Sequence, residues 1–207
     1  STHNTAKDIT VTDNKVSDTT LANIQITSGS AYHTTTAYLN NLTITNNQLI
    51  DGKDNGIIAW TYEDSKFNSI DIHKNHISGN KNKGIKNQSS TEFNASQNWW
   101  GSDLGLAKEQ SEGPIKVYPW ALNEQCTEFV NTIAVDDNWA EKNDFEIVTL
   151  DDQEYIYGLN AFSDIQSAIN GAEPEDTVRL AAGTYQETVN LVTDVNIIGI
   201  SSTDKPI

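Results

Sequence analysis

Phe93-Asn94-Ala95-Ser96-Gln97-Asn98-Trp99-Trp100-Gly101 decides the fold, because three earlier stretches overlay it without gaps. Ile9-Thr10-Val11-Thr12-Asp13-Asn14-Lys15-Val16, Leu42-Thr43-Ile44-Thr45-Asn46-Asn47-Gln48-Leu49 and Ile70-Asp71-Ile72-His73-Lys74-Asn75-His76-Ile77 share its pattern: apolar, polar, apolar, two polar, Asn, any, apolar. A second short strand pattern follows in three of them, with Ile24, Ile57 and Ile85 each ten residues beyond its Asn. The chain carries an internal repeat, and a repeat governs every later reading.

The repeated Asn residues stand 33 apart (14 to 47), then 28 (47 to 75), then 23 (75 to 98), while the strand patterns keep their offsets. Loop length varies and strand register does not. Short period-two strands, a turn at each Asn and a minimal repeat of 23 residues (75 to 98) predict an all-β fold, a parallel β-helix whose coils stack about 4.8 Å apart. Asn suits the corner because it tolerates left-handed backbone, and because its amide can bond the next Asn in a ladder. Asn14, Asn47, Asn75 and Asn98 are the expected ladder.

Composition narrows the partners. The sequence has 207 residues, a formal charge of −16 and only 36% hydrophobic residues, which suits a thin β-helix core. An acidic surface argues against nucleic acid or an anionic membrane, both of which need a basic face. Cations, neutral glycans and other proteins stay open. No apolar run reaches membrane-spanning length, so membrane insertion is not expected. The single cysteine, Cys126, leaves no internal disulfide. The absence of Met and a first residue of Ser suggest a processed or excised piece. The acidic, Thr- and Asn-rich character favours an extracellular or cell-surface setting.

Candidate sites are few. Trp60 and Tyr62 lie two apart on one strand face, where rings can form a platform for sugar stacking; packing on the flank is the commoner role of such rings. Ser28–Thr36 and Thr61–Asn68 are loops on which a binding surface can be built. Asp51-Gly52-Lys53-Asp54-Asn55-Gly56 reads as a turn, since a calcium loop would not place Lys53 at a ligand position. His73 and His76 fall on opposite faces, and His3 and His33 have no evident partner. Asn-X-Ser/Thr occurs at Asn41, Asn87 and Asn94. No cofactor and no metal site is expected, beyond loosely held Ca2+ on the acidic surface.

Asn98-Trp99-Trp100-Gly101, Gly113-Pro114 and Val117-Tyr118-Pro119-Trp120-Ala121-Leu122 resemble the closing segment of right-handed parallel β-helix domains of the pectate-lyase-like type found in large bacterial surface proteins. The resemblance implies that Trp99, Trp100, Gly101, Pro119 and Trp120 form a lid over the last coil, as an exposed solenoid end requires. Ala161-Phe162-Ser163-Asp164-Ile165-Gln166-Ser167-Ala168-Ile169 resembles the amphipathic helix capping the first coil of the same class, with a capping box opening at Ser163 and an apolar face of Phe162, Ile165, Ala168, Ile169 and Ala172. Asp176–Val189 resembles a first coil and Asn196–Gly199 a second, with Val189–Leu191 also read as strand.

A closing half therefore precedes an opening half. The expected organisation is closing coils with their cap over 1–125, a connecting segment over 126–160, and the capping helix with opening coils over 161–207. These last belong either to a second module or to permuted first coils that dock on residues 1–20 of the same or a neighbouring chain. The class hosts lyases, esterases and hydrolases, so fold alone leaves function open. Lyases of the class need a basic residue beside calcium-binding Asp, and hydrolases need converging carboxylates. Arg179, the only arginine, sits in the first-coil strand, and the pairs Asp136-Asp137 and Asp151-Asp152 read as solvated turns. The reading is a non-enzymatic structural or adhesive module whose partners are its own copies or adjacent modules. The alternative is a carbohydrate-binding or polysaccharide-cleaving β-helix.

Overall fold

The computed structural model describes residues 4–32 and 36–200. The loop expected at Ser28–Thr36 is thus described except at 33–35, and His3 and His33 lie outside the described residues. The chain divides into two compact units, Ser1–Phe129 and Val130–Ile207.

Unit 1 carries β1 (Asn4–Thr12), β2 (Lys15–Ser17), β3 (Ile24–Ser28), β4 (Ala37–Thr45), β5 (Gln48–Ile50), β6 (Ile57–Thr61), β7 (Lys66–His73), β8 (His76–Ser78), β9 (Ile85–Asn87), β10 (Phe93–Asn94), β11 (Ser111–Glu112) and β12 (Ile115–Lys116). Three sheets result, ordered β1-β4-β7-β10-β12, β2-β5-β8 and β3-β6-β9-β11. Every pairing in them is parallel. A strand pairs with the strand three elements further on through most of the unit, so each repeat deals one strand to each sheet. This arrangement is compatible with a β-helix-like solenoid.

The register follows the apolar positions. Ile9, Leu42 and Ile70 align, as do Val11, Ile44 and Ile72, and Ile24, Ile57 and Ile85. One residue of slip would turn each set outward. Leu49 and Ile77 face the same interior from the short sheet. Ile44, Leu49, Ile57, Ile72, Ile77 and Ile85 are fully buried. Each such side chain contributes roughly 1.5–3 kcal/mol relative to exposure. β1, by contrast, is exposed along nearly its whole length and pairs with β4 alone among the described strands.

Unit 2 carries β13 (Thr132–Val135), β14 (Ile147–Leu150), β15 (Gln153–Ile156), β16 (Ala161–Phe162), α1 (Ile165–Gly171), β17 (Thr177–Leu180) and β18 (Asn196–Gly199). The segment 126–160, read as a connector, thus supplies three strands, β13, β14 and β15, to this unit. β16-β13-β17-β18 is a parallel sheet, and β14 and β15 form an antiparallel hairpin. The hairpin turns on Asp151 and Asp152, both left-handed (φ 52° and 61°), as a two-residue type I′ turn requires. Ile133, Ala134, Val135, Ala168, Ile169 and Val178 are fully buried.

Two local readings differ from the structure. The helix begins one residue later than expected: its N-cap is Asp164, whose carboxylate accepts from Ser167 N at 2.7 Å. The remaining N–H groups of Ile165 and Gln166 donate to the Glu187 carboxylate at 2.8 and 2.9 Å, a long-range cap that leaves Gln166 free of the capping-box role. Residues 189–191 are not a strand. Asn190 exchanges two hydrogen bonds with the Gln166 side chain instead, at 2.7 and 3.2 Å, which occupy its backbone groups.

Candidate functional site: the asparagine stack and its flanks

Asn14, Asn47, Asn75 and Asn98 form one continuous chain of amides. Asn14 Nδ2 donates to Asn47 Oδ1 at 2.9 Å, Asn47 Nδ2 to Asn75 Oδ1 at 3.0 Å, and Asn75 Nδ2 to Asn98 Oδ1 at 2.9 Å. The backbone N–H of each donor residue joins its own side chain on the same oxygen, at 3.0, 2.9 and 2.9 Å. Each buried Nδ2 also donates to a carbonyl of the preceding repeat: Asn47 to Val11 O, Asn75 to Ile44 O, Asn98 to Ile72 O. Asn47, Asn75 and Asn98 are almost wholly buried, and a buried amide needs this full set of partners.

The reason for Asn at the corner differs from the expectation. The left-handed residue is the one before it: Asp13, Asn46, Lys74 and Gln97 have φ of 59°, 56°, 55° and 61°. The corner thus leaves the strain to its neighbour and uses Asn for amide bonding. A second stack of left-handed residues, Asp18, Asp51, Gly79 and Gly101, marks the next corner (φ 54°, 53°, 67°, 92°). Asp51-Gly52 lies in that turn, pinned by Gly52 N on Asn80 Oδ1 and Lys53 N on Thr19 O. Among the described residues, no group of three or more His, Cys, Asp or Glu side chains converges closely enough to hold a metal ion.

The closing residues have different environments. Trp100 and Trp120 are buried, Trp99 and Pro119 are half-buried, and Gly101 is exposed. Trp120 donates from Nε1 to Asp103 O at 3.0 Å and meets Tyr118 edge-on at 5.9 Å. Gly105 (φ 86°) leaves room for its ring, since a Cβ there would come within 2.5 Å. Trp99 pairs with His76 as an isolated parallel bridge and so lengthens the β2-β5-β8 sheet. Cys126 lies buried near the stack, its Sγ 3.7 Å from Asn75 O, and burial pushes its thiol pKa up.

On the flank, Trp60 and Tyr62 pack edge to face, ring centres 6.5 Å apart at 80°. They do not form a coplanar platform, although both are half-buried and keep some surface free. His73 ends β7 and His76 begins β8, on different sheets. Burial lowers the His76 pKa against the opposing pull of Glu124 and Asp51. Of the Asn-X-Ser/Thr sites, Asn41 and Asn94 are exposed, whereas Asn87 is buried with its Nδ2 on Thr91 O and Pro114 O.

In unit 2, Arg179 binds the hairpin, with Nη2 on Asp151 Oδ2 at 2.6 Å and Nη1 on Gln153 Oε1 at 2.9 Å and Tyr155 Oη at 3.2 Å. Asp136 caps a 3-10 helix through Asn138 N, and Asp137 accepts from Thr184 N at 3.0 Å. A lysine-bearing groove of unit 1 escaped the sequence reading; its only signal was the alternation Lys81-Asn82-Lys83 just before β9. No family model, curated protein or solved structure matches the chain.

Proposed function

We propose that the chain is a non-enzymatic structural module of an extracellular or cell-surface protein, built as a right-handed parallel β-helix of the pectate-lyase-like kind and extended by stacking of further coils. The observation that carries the proposal is the amide chain from Asn14 to Asn98, a device that repeats without change at every step. A stack held this way grows by adding copies of one contact, and its strength lies in main-chain and amide bonds rather than in a reactive centre. Among the described residues β1 and β18 each pair with a single strand, and their other edges are the proposed pairing surfaces, the first bearing Ile9 and the second Ile197 and Ile198. Pairing of β18 of one copy on β1 of the next is a head-to-tail contact that does not close, and it therefore builds filaments.

Multi-angle light scattering and negative-stain electron microscopy over a concentration series test this. The expected result is concentration-dependent, end-to-end assembly that Ile9→Lys suppresses, because a charge at the open edge opposes pairing. Monodisperse monomers at every concentration overturn the self-assembly, and release of cleaved saccharide by the purified chain overturns the non-enzymatic role.

A further inference from the structure

Both parallel stacks end on uncovered apolar residues. In unit 1 register sets the inward row Ile9, Leu42, Ile70, and Ile9 is 39% exposed where Leu42 is 5%. In unit 2 the corresponding row is Ile133, Val178, Ile197, and Ile197 is 40% exposed where Val178 is fully buried. A second row lies two residues on in each: Val11 and Ile44 in unit 1, and Val135, Leu180 and Gly199 in unit 2. Of the exposed large apolar residues, Ile9 and Leu21 fall in the first repeat, and Leu191, Val192, Ile197 and Ile198 in or just before β18. Apolar surface concentrated in this way marks an interaction site.

The asparagine stack is open at the β1 end. The Oδ1 atoms of Asn47, Asn75 and Asn98 each accept two hydrogen bonds from the repeat before, whereas that of exposed Asn14 accepts none among the described residues. The opposite end is closed: Asn98 O accepts from Ala121 N, and Ala121 pairs with Phe129, the last residue of unit 1. The chain thus leaves unit 1 at the Asn98 end of the stack and enters β13 at Thr132, so the free edge of β1 lies at the far end from the exit. A second copy reaches that edge without doubling back along the stack. Polarity agrees, since chain order advances from β17 to β18 and from β1 to β4, and setting β18 before β1 continues both parallel sheets in one sense.

One register satisfies both rows. Ile197 over Ile9 puts Gly199 over Val11. A slip of one residue turns Ile197 outward, and a slip of two sets either Ile197 on exposed Lys7 or Gly199 on left-handed Asp13 (φ 59°). We infer that β18 of a second copy docks on β1 in this register, with Ile197 on Ile9 and Gly199 on Val11 inside, and with Asn196 beside Asp8 and Ile198 beside Thr10 outside. Asp8 already accepts from Asn41 Nδ2 at 3.0 Å, across the paired edge of β1. Asn196 repeats that bond from the free edge, where a second carboxylate would repel. This rests on the head-to-tail reading above and adds the residues of the two partners that meet.

Thiol crosslinking of intact chains tests the register. Three variants are made, Thr10→Cys, Thr12→Cys and Ile198→Cys; all three positions are exposed, and unchanged thermal midpoints verify folding. Facing residues on neighbouring strands lie about 4.8 Å apart, within reach of a disulfide, whereas residues displaced by two lie beyond its limit of about 7 Å. Oxidation of an equal mixture of Thr10→Cys and Ile198→Cys chains should give linked dimers, about fivefold or more above the mixture of Thr12→Cys with Ile198→Cys. Cys126 is buried, and the unsubstituted chain is the blank. Asn196→Asp on the Ile198→Cys chain should cut the yield about threefold or more by facing Asp8, and Asp8→Asn on the Thr10→Cys chain should restore it. Equal yields from the two mixtures, or no linkage in mixtures that light scattering shows to be assembled, overturns the register while the head-to-tail reading stands. A chain carrying both Thr10→Cys and Ile198→Cys that links within itself rather than to others overturns the second copy as occupant. Monomers at every concentration overturn both.

Discussion

Asn75 is wholly buried in the middle of the stack. Its Nδ2 donates to Ile44 O, His73 O and Asn98 Oδ1, and its Oδ1 accepts from both N and Nδ2 of Asn47. Alanine there removes all of these and strands buried carbonyls and N–H groups, so Asn75→Ala should cost about 3–5 kcal/mol. Asn14 is exposed and donates only to Thr12 O and Asn47. Asn14→Ala should cost about 1 kcal/mol or less, since water replaces what is lost. Urea unfolding of the two variants checks this gradient. His76 gives a pH signature: burial depresses its folded pKa below 6.5. The unfolded chain therefore takes up the proton first, so the stability due to neutral His76 is complete above the unfolded value and falls as pH drops below it. His76→Gln should flatten the wild-type loss in urea midpoint between about pH 7.5 and 5.5.

At the scale of elements, the strands were largely legible because period two and burial coincide: Leu42, Ile44, Ile70 and Ile72 alternate in the sequence and face inward in the structure. The β14–β15 hairpin was only half legible. Its first strand alternates, but Gln153–Ile156 does not, and its place depends on Arg179, distant in the chain. The three guanidinium bonds span one carboxylate, one amide and one hydroxyl in a fork that lysine cannot match. Arg179→Lys should destabilise unit 2 by about 1–2 kcal/mol. It should also speed amide exchange in β14 and β15 more than in β13, as hydrogen-exchange mass spectrometry would show. The helix start was misplaced by one residue for the same kind of reason. Glu187 lies 22 residues beyond Ile165, and no local pattern announces a cap from that distance.

At the scale of the whole molecule, the acidity opposes the proposed contacts between copies. A charge of −16 repels like chains over roughly a Debye length, about 10 Å at 0.1 M salt. Raising NaCl from about 0.05 to 0.5 M should therefore promote end-to-end assembly, measured by scattering. No change in assembly with salt would show that charge repulsion does not govern the contact.

The sequence alone determined the repeat, its strands and the four asparagines, because a repeated contact imposes the same residue at the same offset each time. Tertiary structure decided what local order cannot encode. It placed the left-handed strain on Asp13, Asn46, Lys74 and Gln97 rather than on the asparagines themselves. It turned Trp60 and Tyr62 edge to face, and it gathered Ile58, Lys81, Lys83 and Lys86 around one groove. Periodicity reports which face a residue takes, whereas the partners across a stack depend on loops whose lengths vary freely from one repeat to the next.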